Sequence, residues 1–355
     1  MSKVIIYAPN IHIGGGLVLL RSLIEAWPKN LPLYAYLDYR ASNLLRPPKN
    51  AKIIWVKSNL YDRLKAEISL SRDASDGDIV LFKNSLPPLF RCRGKVIIFM
   101  QNRNLIEKIL LRDFKFAVAA RIFIERTLVY FLRHRVDEYI VQTNSFKRTI
   151  EAWHFSHFNL RKPFVKVLPF MKMFSGLDIE SGEPVGKSLD FIYVGDGLAH
   201  KNHIMLFRAW EELAKQNIFP SLALTLGVGE KVLISKVDEL QNKGLRITNL
   251  GELSHENIIR KYQESRALIY PSLRESFGLP LVEASILGIP ILASELDYVY
   301  DVCKPVITFN PNSFRSISRA VKRFLDIGEL VAEIHSPTKF LEHILPEGVD
   351  ISNDR

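Results

Sequence analysis

Short apolar runs recur along the chain at intervals that predict strands separated by helices. Most runs in the first half are almost continuously apolar, which is typical of strands covered on both faces. Amphipathic stretches such as Leu17–Trp27 lie between them, with apolar residues at helical spacing. The predicted strands are Val4–Tyr7, Leu33–Leu37, Ile53–Val56, Asp78–Phe82, Lys95–Met100, Glu138–Gln142, Leu189–Val194, Leu222–Leu226, Arg246–Leu250, Ala267–Tyr270, Ile289–Ala293 and Pro305–Phe309.

This alternation of strand and helix predicts parallel sheets with right-handed crossovers. We therefore expect an α/β fold with two Rossmann-like, doubly wound parallel-sheet domains facing a cleft, where open α/β folds bind ligands. A length of 355 residues fits two domains of ordinary size. We predict an N-terminal domain at 1–170, a Pro-, Gly- and Ser-containing linker at 171–187, a C-terminal domain at 188–335 and a tail at 336–355 that can return to the N-terminal domain.

Composition narrows the class of protein. Apolar residues make up 47% of the chain and charged residues 24%, the balance of a globular protein. The most apolar stretch, Phe114–Leu132, contains four charged residues, and the first residues resemble no signal peptide. Cys92 and Cys303 lie too far apart in sequence to indicate a metal site or a disulfide framework, so we expect reduced core thiols. These features predict a cytoplasmic protein.

Charge is distributed unevenly between the two halves. Residues 1–170 contain 28 Lys and Arg against 13 Asp and Glu, and residues 171–355 contain 20 against 25, giving +15 and −5 and the total of +10. A basic half favours an anionic partner, either nucleic acid or a membrane surface. The basic stretch Leu105–Arg135 fits a helix lying peripherally on the inner membrane face or a core helix with solvated basic residues. We predict no nucleic-acid partner.

The segment Tyr270–Ala284 carries the clearest chemical pattern. A strand ends at Tyr270, Pro280 occupies the start of a helix, and Gly288 can end it. Backbone N–H groups near the helix start could hold a diphosphate without a metal. Glu275 is expected to project from the loop and Glu283 from the first helical turn, where a carboxylate can also serve simply to complement the helix dipole.

This segment resembles the signature of retaining nucleotide-sugar glycosyltransferases of family 4, which have the glycosyltransferase-B fold. In that signature two glutamates bracket a Phe-Gly turn with the spacing of Glu275 and Glu283. The resemblance extends over about 188–309, including Gly251 ahead of Leu253-Ser254, Glu264–Ala267 and Gly288–Ser294. Over the N-terminal half it is looser.

The resemblance implies roles for the residues around this turn. Glu275 would lie against the donor sugar and contribute to catalysis, Glu283 would bind the nucleotide ribose, and Lys201 would neutralise the donor diphosphate. It also implies a metal-independent reaction without a cofactor, in which the nucleotide sugar is a co-substrate. Further donor-binding residues would be Gly195, Ser276, Phe277, Gly278 and Leu279.

Two positions depart from the family pattern. Asp196 stands where an arginine is common, and a carboxylate there would repel phosphates unless it points away, pairs with Lys201 or marks a variant donor site. Gln101 replaces a histidine that contacts the transferred sugar, and an amide cannot accept a proton at neutral pH. His200 and His203 have spacing that suits a metal but lack a third ligand, so we interpret them as capping or surface residues.

Three glycines, Gly14, Gly15 and Gly16, follow the first predicted strand and open a helix. They would let the backbone approach an acceptor sugar or phosphate, or they form a tight turn without a ligand. Leu19 breaks the dinucleotide-binding fingerprint. Gln101 and Arg103 are the other predicted acceptor- or sugar-contacting residues, although Arg103 fits a surface salt bridge equally well. In Gln142–Ser145, Asn144 or Ser145 is expected to cap the next helix.

These features together predict a hexosyltransferase that uses a UDP- or GDP-sugar and a glycan or lipid-linked acceptor, with retention at the anomeric carbon, in cell-surface polysaccharide or lipopolysaccharide synthesis. The alternatives are a related epimerase or phosphorylase, for which no motif stands out, and a catalytically silent nucleotide-sugar binder or scaffold, which Asp196 and Gln101 favour.

Overall fold

A computed structural model describes residues 3–107, 116–158, 163–171 and 186–327. It contains two parallel sheets, of seven and six strands, each with helices between its strands. The predicted pair of Rossmann-like domains is therefore confirmed. The domain boundaries stay predictions, because most of the linker and the whole proposed tail lie outside the described residues.

The N-terminal sheet has the strand order β3-β2-β1-β4-β5-β6-β7, and every pair is parallel. All six predicted strands are present, and the seventh, of three residues, was missed. The strands are β1 Val4–Ala8, β2 Tyr34–Asp38, β3 Lys52–Val56, β4 Ile79–Phe82, β5 Lys95–Phe99, β6 Glu138–Val141 and β7 Val165–Val167.

Helices pack on both faces of this sheet. One face buries residues of α2 and α3, including Leu70 and Val129, and the other buries residues of α1, including Leu20 and Ile24. Asn59 caps α2 by accepting a hydrogen bond from the Asp62 N–H. The helices are α1 Gly14–Glu25, α2 Leu60–Asp73, α3 Phe116–Leu132 and α4 Asn144–Phe158.

The C-terminal sheet has the order β10-β9-β8-β11-β12-β13, again with parallel pairs. All six strands were predicted. Its elements are β8 Leu189–Tyr193, α5 His203–Ala214, β9 Leu222–Leu224, α6 Lys231–Asn242, β10 Ile247–Asn249, α7 His255–Glu264, β11 Ser265–Tyr270, α8 Leu279–Ile286, β12 Ile291–Ser294, α9 Asp297–Tyr300, β13 Ile307–Phe309 and α10 Phe314–Phe324.

Strand order reverses direction at two places, between β1 and β4 and between β8 and β11. Loops on either side of such a point diverge to opposite faces of the sheet, which leaves a crevice at the carboxyl ends of the strands. The loops after β1, β8 and β11 carry most of the predicted site residues, and Gln101 and Arg103 follow β5. Within the described ranges, no helix combines the length and apolar character needed to cross a bilayer.

Candidate active site

The loop between β11 and α8 is fixed by its backbone conformation. Gly278 precedes α8 with φ +75°, and Pro280 lies in the first turn. An added Cβ at Gly278 would lie 3.1 Å from Leu281 Cδ1, so glycine is required both for backbone angle and for space. Gly288, with φ +66°, ends the helix as predicted. Pro280 has no N–H, and the Leu281 and Val282 N–H groups donate to the Gly278 carbonyl at 2.9 and 3.3 Å, so what the helix start offers an anion is chiefly its positive end.

Glu275 lies in this loop with only 11% of its side chain exposed. Its Oε1 accepts hydrogen bonds from Lys201 Nζ at 2.7 Å and from the Tyr270 hydroxyl at 2.9 Å. Burial acts to raise the pKa of Glu275, but the adjacent Lys201 ammonium outweighs it and holds the pKa below its usual value. Glu275 is therefore a buried carboxylate kept ionised by a cation.

Lys201 reaches Glu275 because hydrogen bonds join the loops after β8 and β11. The Leu273 N–H donates to the His200 carbonyl at 2.8 Å. Asn202 adopts φ +62°, and its Nδ2 donates to the carbonyls of Pro271 at 3.1 Å and Pro311 at 2.8 Å. These bonds set the position of a lysine whose partner is 74 residues away.

Glu283 lies deeper than the sequence suggested. Helix α8 begins at Leu279, so Glu283 is in the second turn and the expectation of a first-turn position was wrong. Its side chain is 7% exposed, with Oε1 3.1 Å from His255 Nε2 and Oε2 accepting from the Tyr262 hydroxyl at 3.1 Å. Helix-dipole complementarity weakens beyond the first turn, so it does not explain this carboxylate.

Asp196 makes a local contact and does not pair with Lys201 or with the loop that carries Glu275. It is exposed, and its Oδ1 accepts a hydrogen bond from the Leu198 N–H at 3.2 Å, which is a local turn contact. The preceding Gly195 donates its N–H to Thr225 Oγ1 at 3.1 Å. A methyl group on Gly197 would collide with the Glu230 carboxylate, which accepts the Gly197 N–H. The loop therefore folds without placing Asp196 against Lys201.

Of the two histidines, His203 differs from expectation. His203 is buried at 3% exposure and stacks on Tyr193 with ring centroids 4.8 Å apart, so its assignment to a cap or the surface was wrong. Burial lowers the pKa of His203 to about 3. His200 is half-buried, and burial lowers its pKa as well. Both imidazoles are therefore neutral, and they pack within the segment that follows β8.

The glycine loop of the N-terminal domain faces this turn. Helix α1 begins at Gly14, with φ +65°, so the glycines form its first turn. A Cβ built on Gly15 would lie 3.1 Å from Leu279 Cδ1, and one on Gly16 would lie 4.0 Å from Gln101 Oε1. Predicted acceptor-side and donor-side residues are thus brought together across the cleft.

Arg103 joins the two domains. Its Nη1 donates to the Glu275 carbonyl at 3.2 Å and to Ser145 Oγ at 3.1 Å, while its Nε donates to Glu107 Oε1 at 2.5 Å. Its guanidinium lies 5.0 Å from the centre of the Phe146 ring. Arg103 therefore contacts the backbone of the Glu275 loop in addition to forming a salt bridge.

The loop after β6 makes a second connection. Thr143 Oγ1 donates to the Ser276 carbonyl at 3.4 Å, and the Ser145 N–H donates to Asp301 Oδ2 at 2.9 Å. The cap of α4 is Thr143, whose Oγ1 accepts from the Phe146 N–H at 3.3 Å, and neither Asn144 nor Ser145, because α4 begins at Asn144 itself.

Sequence reasoning missed Lys83, which follows β4 at the switch point. It is 2% exposed, and within the described part of the chain its Nζ has no hydrogen-bond partner. The ammonium lies 3.7 Å from the centre of the Phe99 ring and 5.1 Å from that of Phe170, and burial lowers the pKa of Lys83 to about 7. By sheet register Gln142 shares its face of the sheet, and the Gln142 amide is also buried and without a described partner. The sequence alone could not predict that Lys83 and Gln142 are buried beside the cleft without hydrogen-bond partners among the described residues.

The chain is similar in sequence to known glycosyltransferases. Residues 177–338 match the family model of glycosyl transferases group 1. The chain is 25% identical over 217 residues to the serotype-specific mannosyltransferase WbdA of Escherichia coli, covering 56% of this chain and 26% of that protein. It is 27% identical over 99 residues to the O-antigen chain mannosyltransferase RfbU of Salmonella typhimurium, covering 28% of this chain and 27% of that protein. The chain thus spans about a quarter of the length of these relatives.

Solved structures resemble the whole described architecture. Anabaena Alr3699/HepE in complex with UDP-glucose superposes with a TM-score of 0.65 at 14% identity, covering 92% of this chain and 90% of that one. The lipopolysaccharide outer core galactosyltransferase WaaB superposes with a TM-score of 0.58 at 17% identity, with the same coverage. The chain has the glycosyltransferase-B fold, and its residues 177–338 are similar to the glycosyl transferases group 1 family.

Proposed function

We propose that the chain transfers a hexose from a UDP- or GDP-sugar to a glycan or lipid-linked acceptor, with retention, in cell-surface polysaccharide or lipopolysaccharide synthesis at the cytoplasmic side of the membrane. The observation that carries this proposal is the buried Glu275 carboxylate, held by Lys201 at 2.7 Å beside the start of α8. The names of the relatives WbdA and RfbU support a mannosyl donor as one option.

The donor diphosphate would be neutralised without a metal. Lys201 supplies a cation whose side chain is 12% exposed, and the start of α8 supplies the positive end of a helix. Lys201 is placed to stabilise the negative charge that develops on the leaving diphosphate while it remains beside Glu275. These fixed charges stabilise the transition state without reorganisation of water.

Glu275 would act on the sugar side of the bond that breaks. Its ionised carboxylate stabilises positive charge that develops at the anomeric carbon, and it can accept hydrogen bonds from sugar hydroxyls. The Gln101 amide can bond a hydroxyl but cannot take its proton, so the leaving diphosphate would assist deprotonation of the acceptor. Glu283 would share its carboxylate between His255, Tyr262 and the nucleotide ribose.

Replacement of Glu275 by glutamine tests this assignment. The variant keeps the shape and removes the charge, so we expect release of nucleoside diphosphate to fall about 100-fold or more. Glu256→Gln, in the exposed first turn of α7, is the matched control and should keep full turnover. Unchanged turnover in Glu275→Gln would overturn the catalytic role.

A thermal-shift panel of UDP-, GDP- and ADP-sugars identifies the donor, because a ligand that binds only the folded state raises the unfolding temperature. Turnover of that donor should persist in EDTA if no metal takes part. Donor binding without any release of nucleoside diphosphate would favour the silent-binder alternative.

A further inference from the structure

Tyr270 is the last residue of β11, and its side chain is fully buried. Its hydroxyl donates to Glu275 Oε1 at 2.9 Å and lies 3.5 Å from Lys201 Nζ. Because Lys201 Nζ also donates to Oε1 at 2.7 Å, the ammonium, the hydroxyl and the carboxylate form one hydrogen-bonded network. The proposed reaction uses the ammonium and the carboxylate but not the hydroxyl.

The two donors to Glu275 Oε1 differ in rigidity. Lys201 carries its ammonium on a flexible four-carbon stem, which provides a charge but little fixed direction. The Tyr270 side chain has only two rotatable bonds before its ring, and the ring packs edge-on against Tyr193 with centroids 5.6 Å apart. Tyr193 is itself fixed, because its hydroxyl donates to the Lys201 carbonyl at 2.7 Å. Lys201 therefore supplies the charge beside Glu275, and Tyr270 supplies a fixed direction.

The Tyr270 hydroxyl remains protonated beside the carboxylate. Burial and the negative charge of Glu275 raise the pKa of Tyr270 well above its usual value, so the hydroxyl stays a donor. Phenylalanine would fill the same position without burying a polar group that needs a partner. The hydrogen bond to Oε1 is thus what tyrosine adds at the end of β11.

Two further tyrosines face Glu275, but their hydroxyls donate to backbone carbonyls. Tyr298, on α9, donates to the Ser272 carbonyl at 2.8 Å. Tyr193, on β8, donates to the Lys201 carbonyl. These two tyrosines hold the loops on either side of the carboxylate, whereas the tyrosine that ends β11 holds the carboxylate itself.

The charged partner of Glu275 is Lys201. His200 also faces the carboxylate, and burial lowers the pKa of His200, which keeps this imidazole neutral near pH 7. Arg103, from the other domain, meets the backbone carbonyl of Glu275 and not its carboxylate. Removal of the Tyr270 hydroxyl therefore leaves the ion pair in place and deletes one hydrogen bond.

We propose that Tyr270 is a positioning residue that holds the Glu275 carboxylate in its catalytic orientation. The inference rests on the proposed function, since it acts through the role assigned to Glu275. Tyr270 itself would touch neither donor nor acceptor. Its contribution is a rigid hydrogen bond to Oε1, which fixes one carboxylate oxygen and so sets the direction of the other towards the sugar.

Replacement of Tyr270 by phenylalanine tests the proposal, with release of nucleoside diphosphate measured across a range of pH. We expect kcat to fall about tenfold while the donor KM changes less than about twofold, because a misdirected carboxylate weakens binding of the transition state and not of the donor. Loss of a hydrogen bond to the ionised carboxylate raises the pKa of Glu275. Since the ionised form is the active one, the acidic limb of the kcat profile should move to higher pH by about one unit.

Urea unfolding gives a second measure that needs no turnover. The pKa of Glu275 in the folded chain is held below its usual value, so the carboxylate contributes stability that is lost as pH falls through that pKa. The stability difference between the chain and its Glu275→Gln variant records this loss. In the Tyr270→Phe background the loss should begin at higher pH. His200 is present in every variant, so its own titration does not alter the comparison.

Tyr298→Phe is the matched control, because it removes a buried hydroxyl that is bonded to the same loop but not to the carboxylate. It should leave both pH dependences unmoved. Unmoved pH dependences in Tyr270→Phe, or equal shifts in Tyr298→Phe, would overturn the inference, while loss of turnover in Glu275→Gln would still support the proposed function. Full turnover by Glu275→Gln would overturn the proposed role of Glu275 and this inference with it.

Discussion

Glu275 and Lys83, on opposite walls of the cleft, are buried in opposite electrostatic surroundings. On the donor side, Glu275 has Lys201 at 2.7 Å, and Glu283 has His255 and Tyr262 at 3.1 Å. On the opposite wall, Lys83 is 2% exposed, and within the described residues its Nζ has no hydrogen-bond partner and lies over the Phe99 ring. Glu275 is thus compensated by an ion pair, whereas the burial of the Lys83 ammonium is offset only in part by an aromatic ring and destabilises the fold.

The largest effect is expected when the donor-side pair is broken. Lys201→Met leaves the Glu275 carboxylate, whose side chain is 11% exposed, without its cation, which should destabilise the protein by about 4 kcal/mol. Urea unfolding measures this. Adding Glu275→Gln to Lys201→Met should recover most of the loss, because no buried charge remains. A loss of equal size in the double variant would show that packing of the lysine stem, and not its charge, is responsible.

The opposite sign is expected at Lys83. The lowering of its pKa from the usual 10.5 to about 7 corresponds to roughly 5 kcal/mol, and contact with Phe99 offsets about 2 kcal/mol of that. Lys83→Met should therefore stabilise the protein by about 3 kcal/mol at pH 6.

The pH dependence distinguishes this cause from simple repacking. Below pH 7 Lys83 is charged in both the folded and unfolded states, so the cost of burying the charge is fully present. Between about pH 7 and 10.5 the unfolded state binds more protons, so the original chain gains stability as pH rises and the advantage of Lys83→Met shrinks. A pH-independent gain would contradict the electrostatic explanation.

The smallest expected effects compare glycines on the two walls. Gly278→Ala meets both a left-handed φ of +75° and Leu281 at 3.1 Å, whereas Gly14→Ala meets a φ of +65° with nothing within 4 Å. We expect a loss of about 2 kcal/mol for Gly278→Ala and about 1 kcal/mol for Gly14→Ala, measured by thermal unfolding. Equal losses would show that the space beside Gly278 is not limiting.

The conformation of the loop between β11 and α8 was predicted well because its sequence pattern is local. Glu275, Gly278, Pro280 and Gly288 lie within one strand, loop and helix, so short-range rules for turns and helix ends suffice. The N-terminal wall depends on residues far apart in sequence. Lys83 is buried against Phe99 and Phe170, and no local sequence pattern predicts this burial.

The other wrong or missed predictions have different physical reasons. Glu283 is bonded to His255 and Tyr262, and both of these residues lie on α7, two elements earlier in the chain. His203 is polar, as residues on the surface usually are, but its ring packs against Tyr193 in the core. Strand β7 has only three residues, too few for a hydrophobic pattern to stand out.

The contacts across the cleft carry a final consequence for turnover. Arg103 and Thr143 each donate to a carbonyl of the Glu275–Ser276 segment, and the Ser145 N–H donates to Asp301. Each such bond contributes about 1 kcal/mol net, since water replaces it when the walls separate. These three bonds together contribute only about 3 kcal/mol, so in the proposed reaction breaking them would let the nucleotide product leave without unfolding either domain.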